Sequence, residues 1–126
     1  MATFNINNII RPNVKTMKAY SSARDEFQEI NDDFIFLDAN ENPFNNGLNR
    51  YPDPFQRNVK AILSQLKNFP ENQILLGNGS DEILDLLFRA FCEPNQDNVI
   101  SISPSYGMYN VLANLNAIEY RKSLLN

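Results

Sequence analysis

An alternation limits the fold of this 126-residue chain more than any other feature. Short apolar runs are followed by segments whose apolar residues recur at helical spacing. Phe34-Ile35-Phe36-Leu37 is the first run. From Pro54 onward, Phe55, Val59, Ile62, Leu63, Leu66 and Phe69 fall on one helical face. Pro54 suits a first helical turn and Pro70 a stop. The run from Gln73 to Leu76 leads through Gly77-Asn78-Gly79-Ser80 into Asp81 to Cys92, a helical segment apolar on more than one face that Glu93-Pro94-Asn95 ends. Asn98 to Ile102 predicts a strand, and Ser103-Pro104-Ser105 a turn. Met108, Val111, Leu112 and Leu115 predict a further helix, and a last strand begins near Ile118. Strands alternating with helices predict an α/β layer with at least partly parallel strands and right-handed crossovers.

The length allows one ordinary domain, which buries roughly two-thirds of its unfolded surface. Residues 1–33 stand apart because their apolar residues are scattered. The spacing supports only a thin-faced helix from about Val14 to Phe27, so the segment reads as an arm that needs another surface. Residues 34–126 read as the start of an α/β domain. Asp38 to Arg50, rich in Asn and holding Pro43 and Gly47, predicts a long functional loop. The chain stops in or just after a strand with no cap, which predicts the front of something larger.

Composition excludes several chemistries. With no His, the chain cannot build a Ser-His-Asp triad, a His-ligated metal site or an imidazole acid/base. Its one Cys, Cys92, cannot form an internal disulfide. A net charge of −4 argues against a nucleic-acid partner. The N-terminus has neither a basic region nor a long apolar run, so neither a secretory signal nor a membrane span is expected, and a reducing cytoplasmic setting is.

Two local features can carry chemistry. In Leu76-Gly77-Asn78-Gly79-Ser80-Asp81-Glu82 a strand turns through glycines into a helix, where unpaired N–H groups and the positive end of the dipole favour an anion. It is no Walker A loop, since no Gly-Lys-Ser/Thr follows, and Glu82 takes the third glycine of a dinucleotide fingerprint. The turn supports two readings: Ser80 as an N-cap with two acids complementing the dipole, or a phosphate cradle built from backbone N–H groups and a hydroxyl. Pro104-Ser105-Tyr106-Gly107-Met108-Tyr109 follows a strand at the carboxyl edge, where Tyr106 can stack on a flat ring or pack on its own helix.

Five segments stand in order: Asp38-Ala39-Asn40-Glu41-Asn42-Pro43, Arg50-Tyr51-Pro52-Asp53-Pro54, Gly77-Asn78-Gly79-Ser80-Asp81-Glu82, Phe88-Arg89-Ala90-Phe91-Cys92-Glu93-Pro94 and Pro104-Ser105-Tyr106-Gly107-Met108-Tyr109. Together they resemble the N-terminal part of the histidinol-phosphate aminotransferases, pyridoxal-phosphate enzymes of histidine biosynthesis, from about Val14 to the end. The resemblance implies the N-terminal part of the large domain of the type I aminotransferase fold, preceded by an extended arm. It also implies a homodimer with its site shared across the interface. The backbone at Gly79, Ser80 and Asp81 would hold the phosphate of pyridoxal 5'-phosphate. Tyr106 would stack on the pyridine ring, and Tyr51 would reach the phosphate of the partner's cofactor. Tyr20 from the arm and Asn40 and Glu41 from the loop would lie near the substrates. Those substrates would be L-glutamate and imidazole-acetol phosphate, with histidinol phosphate as product. Glu82, Arg89 and Cys92 read as structural.

Lys15, Lys18, Lys60, Lys67 and Lys122 do not sit in the family's lysine motif, and its other catalytic groups lie further along the family's chain. The resemblance therefore implies half of a cofactor site and no catalytic residue, so the chain alone is expected to be inactive. Two other readings stand beside it: a threonine-phosphate decarboxylase-like enzyme of the same subgroup, and a non-catalytic module that dimerises or binds phosphate. Ala39 to Pro43 and the pair Gly107-Met108 favour the aminotransferase.

Overall fold

The computed structural model describes residues 4–21 and 35–125. In chain order the helices are α1 (Pro12–Thr16), α2 (Arg57–Lys67), α3 (Ser80–Phe91) and α4 (Met108–Leu115), and the strands are β1 (Asn98–Ser103) and β2 (Glu119–Leu124). The chain divides into two compact units, residues 1–17 with 76–126 and residues 18–75.

In the first unit, β1 and β2 pair in parallel, from Asn98 opposite Glu119 to Ser103 opposite Leu124. A parallel pair needs a crossover, and α4 supplies it. The apolar spacing of α3 and α4 has a purpose here: Phe88, Leu112, Ala113 and Ile118 form the buried core, with Leu84, Cys92, Val99, Met108 and Tyr120 packed around it. Along β1, Val99, Ser101 and Ser103 are half-buried and alternate with exposed Ile100 and Ile102, the period of two expected of a strand covered on one face. Asn116 ends α4 and ties it to α3. Its side-chain amide donates to the Leu112 carbonyl at 2.9 Å and to the Asp85 carboxylate at 2.8 Å.

The N-terminal segment is strapped onto this unit by Arg11. Its backbone N–H donates to the Ala90 carbonyl at 3.0 Å. One guanidinium nitrogen donates to the Arg89 carbonyl at 2.9 Å, and two others grip the Glu93 carboxylate at 3.0 and 3.2 Å. A cation set against the last carbonyls of α3 satisfies them and complements the dipole.

The second unit has no buried residue among those described. Its helix α2 opens under Asp53, whose carboxylate accepts the N–H of Phe55 at 3.0 Å, the N–H of Arg57 at 2.8 Å and the Arg57 guanidinium at 3.0 Å. These bonds hold Asp53 below the usual carboxylate range, the Arg57 N–H most of all. The helix ends at Asn68, which takes a left-handed conformation at φ 54°.

Several expected elements differ. The helix expected from Pro54 begins three residues later, because Gln56 sits at φ 52° and breaks the helical path, and Asn68 stops it before Pro70. Of the helix expected from Val14 to Phe27, residues 22–27 lie outside those described, and in the described part the helix is Pro12–Thr16. Met17 turns extended, consistent with an apolar face too thin to prolong it, and residues 22–34 lie outside those described. Ile35 to Leu37 form no strand, and Gln73 closes a 3-10 turn, Glu71–Gln73, before an irregular stretch. A strand exists only where a regular ladder is built, which an apolar run alone does not secure.

Candidate cofactor site

The turn into α3 is built on two glycines with different reasons to be glycine. Gly79, the N-cap residue, sits at φ 86° and ψ 171°, a backbone region open essentially to glycine alone, although a Cβ there would meet nothing within 4 Å. At Gly77 a Cβ would lie 2.6 Å from Ile83 Cδ1 and 2.7 Å from Glu82 Oε2, the far ends of two side chains of the first turn of α3 that would have to shift to admit it.

Ser80 is thus the first residue of the helix and not its cap, which corrects the capping alternative. No side chain caps this end, and the Ser80 and Asp81 N–H groups have no intrahelical partner. Gly79 differs from the expected donor set: its N–H donates to the Gly77 carbonyl at 3.0 Å and is closed inside the turn. Gly79 contributes the shape of the turn, and Ser80 and Asp81 its open donors.

The two acids of the first turn do not face those donors unengaged. Glu82 folds back and accepts the Asn78 N–H. Asp81 accepts the Tyr106 hydroxyl on Oδ2 at 3.2 Å, while its Oδ1 is buried with no hydrogen-bond partner. The ring expected to stack on a cofactor and the helix turn expected to hold its phosphate are therefore joined by one hydrogen bond. Tyr106 is half exposed and meets the Tyr109 ring edge-on, with centroids 5.9 Å apart. The Asp81 carboxylate raises the Tyr106 phenol above its ordinary value of 10.0, chiefly through that bond. The hydroxyl therefore stays a donor at neutral pH.

In the second unit, the long loop is closed by Glu41. Its carboxylate accepts the Arg50 guanidinium at 2.7 Å and the Tyr51 N–H at 2.8 Å. The Tyr51 side chain stays largely exposed, and Asn40 and Tyr20 are exposed as well. Cys92 packs against the core, and burial first, then Asp97, pushes its thiol up while Arg11 opposes them, which suits a structural residue. No described helix is long and apolar enough to cross a membrane.

The profile of the family described as aminotransferase class I and II matches residues 20–125, most of the chain. The chain belongs to that family. Among curated relatives of this aminotransferase family, it is similar to a histidinol-phosphate aminotransferase of Flavobacterium johnsoniae, at 68% identity over 126 residues covering 99% of this chain. Proteins of the same name from Flavobacterium psychrophilum and Christiangramia forsetii are 63% and 62% identical over the whole of it. The chain spans 36% of the length of each of these three relatives.

In each unit one side-chain contact lies outside what the sequence predicts. The sequence singles out Arg50 only as a neighbour of Tyr51, and Asp81 as a dipole acid and a backbone phosphate donor, not as the acceptor of the Tyr106 hydroxyl. The nine-residue step from Glu41 to Arg50 and the 25-residue step from Asp81 to Tyr106 follow no helical or strand period, so spacing could not reveal either contact.

Proposed function

We propose that this chain supplies the phosphate-binding turn and the ring platform of a pyridoxal-phosphate site in a histidinol-phosphate aminotransferase. The reaction moves an amino group between L-glutamate and imidazole-acetol phosphate. The Ser80 and Asp81 N–H groups hold the cofactor phosphate, and the Tyr106 ring packs on the pyridine. Tyr51 serves the phosphate of a partner subunit's cofactor in a cytoplasmic homodimer, and Tyr20 and Asn40 lie toward the substrates. Bound there, the cofactor supplies the electron sink that amino-group transfer needs. This chain's own part is to bind and orient it. The observation that carries the reading is the pairing of uncapped N–H donors at the start of α3 with Tyr106, locked to the same turn through Asp81.

Ser80→Pro tests it. Proline is tolerated at the first helical position and removes the Ser80 N–H together with its hydroxyl, and Ser80→Ala, which removes the hydroxyl alone, separates the two. Pyridoxal phosphate should bind about tenfold or more weakly, while pyridoxal, which lacks the phosphate, should bind unchanged. Equal losses for both ligands, or none, would remove the cradle. Borohydride reduction of the 126-residue chain with pyridoxal phosphate should label lysines diffusely. Stoichiometric labelling of one lysine with glutamate-dependent turnover would show that the chain holds a catalytic residue.

A further inference from the structure

Glu41 is a carboxylate that the fold has taken out of water. Its side chain is only 4% exposed, in a unit that buries no described residue completely, whereas its partner Arg50 is half exposed. An ionised carboxylate is costly to bury unless strong donors compensate it. Here two consecutive residues contribute: the guanidinium of Arg50 at 2.7 Å on one oxygen and the backbone N–H of Tyr51 at 2.8 Å on the other. The Glu41 N–H in turn donates to the Ala39 carbonyl at 2.9 Å, fixing the near end of the loop. Within the same loop the Asn49 side-chain amide donates to the Asn42 carbonyl at 3.1 Å. Glu41 therefore draws the two ends of the loop of residues 42–49 together with both oxygens, and the second oxygen fixes the backbone at Tyr51. Pro52 restricts the same residue from the other side, since the residue before a proline is held to extended conformations. The phenol is the part of Tyr51 left free, and its residue is 63% exposed.

We propose that Glu41 is the positioning residue for Tyr51, pinning its backbone so that the phenol is presented from a fixed point. This rests on the reading that Tyr51 binds a cofactor phosphate. It gives Glu41 a task inside the loop in place of contact with substrate. Arg50 shares that task by neutralising the carboxylate, and the segments Asn40-Glu41-Asn42-Pro43 and Arg50-Tyr51-Pro52 become two halves of one device.

Amide exchange tests the clamp independently of any cofactor. The Tyr51 N–H should be protected in the unaltered protein, exchange at least about tenfold faster in Glu41→Ala, and stay protected in Glu41→Gln, whose carbonyl still accepts it. Equal exchange in the unaltered protein and Glu41→Ala would overturn the clamp. Pyridoxal-phosphate affinity tests its purpose. Glu41→Ala and Tyr51→Phe should each weaken binding about tenfold, and the double variant should be no weaker than Tyr51→Phe alone. Multiplied losses in the double variant would overturn the positioning role, because Glu41 would then act on its own. Unchanged affinity in Tyr51→Phe, with protection still lost in Glu41→Ala, would overturn the Tyr51 assignment and leave the clamp standing.

Discussion

Helices α2 and α3 carry equally clear apolar stripes and meet different fates. In the unit of residues 1–17 and 76–126, α3 sets Phe88 against Leu112, Ala113 and Ile118. In the unit of residues 18–75, the stripe of α2 stays open, with Ile62 and Leu66 about 70% exposed. An amphipathic pattern states that a helix has something to cover and does not state what covers it. The first unit finds the cover within its own chain, in a parallel strand pair and its crossover. Among the described residues, the second shows polar devices instead: Asp53 at the start of α2 and Glu41 in the loop.

The sharpest break of this contrast would come from paired truncations. Phe88→Ala should cost about 3 kcal/mol in urea unfolding, the usual loss for a buried aromatic. Ile62→Ala should stay within about 0.5 kcal/mol, as exposed positions do. A loss at Ile62 as large as at Phe88 would mean that the stripe of α2 is covered in solution.

Backbone substitution is expected to have a smaller effect. Gly79→Ala should cost about 1–3 kcal/mol because its conformation excludes a Cβ-bearing residue. Gly47→Ala, at φ 78° in the polar loop, should cost less, since a loop without buried neighbours can rearrange. Equal unfolding losses would show the loop to be as rigid as the turn.

Titration probes the polar devices, and here the effects are smaller still. The Tyr106 phenol is raised in the folded state, so its bond to Asp81 contributes fully below pH 10.0 and is lost as pH rises through the raised value. Phenolate absorbance, with Tyr106→Phe as reference, should place that midpoint lower in Asp81→Asn. Asp53 is the opposite case. Its carboxyl is depressed, so its contribution is present above pH 3.8 and lost as pH falls through the lower folded value. Amide exchange at Phe55 and Arg57 should quicken over that range, and Asp53→Ala should remove the dependence.

The α/β class, α3, α4 and the parallel strand pair were legible because each rests on contacts close in sequence or on a strict period. That the described residues 35–37 and 74–76 form no strand was not, because an apolar run reads the same whether or not it builds a ladder. The candidate site divides along the same line. The Gly77 to Ser80 turn showed in glycine placement, while the closure of the Gly79 N–H on Gly77 is a dihedral matter that composition does not carry. The contacts of Asp81 with Tyr106 and of Glu41 with Tyr51 arise from how separate segments meet: local pattern brought Asp81 and Tyr106 to notice singly, and the resemblance brought Glu41 and Tyr51, but neither gave the contacts.

The strap at Arg11 has a consequence in time. Its guanidinium closes on a carboxylate 82 residues further along. A ribosome adding roughly 5–20 residues per second delivers Glu93 about 4–16 s after Arg11. Throughout that interval the cation is without its counterpart. Residues 18–75 are made entirely within the wait, and the contacts inside that stretch can form first. The segment around Arg11 is therefore fastened only after residues 18–75 have been made, and a chaperone or a protease that meets the nascent chain finds residues 4–17 unclaimed until translation has passed Glu93.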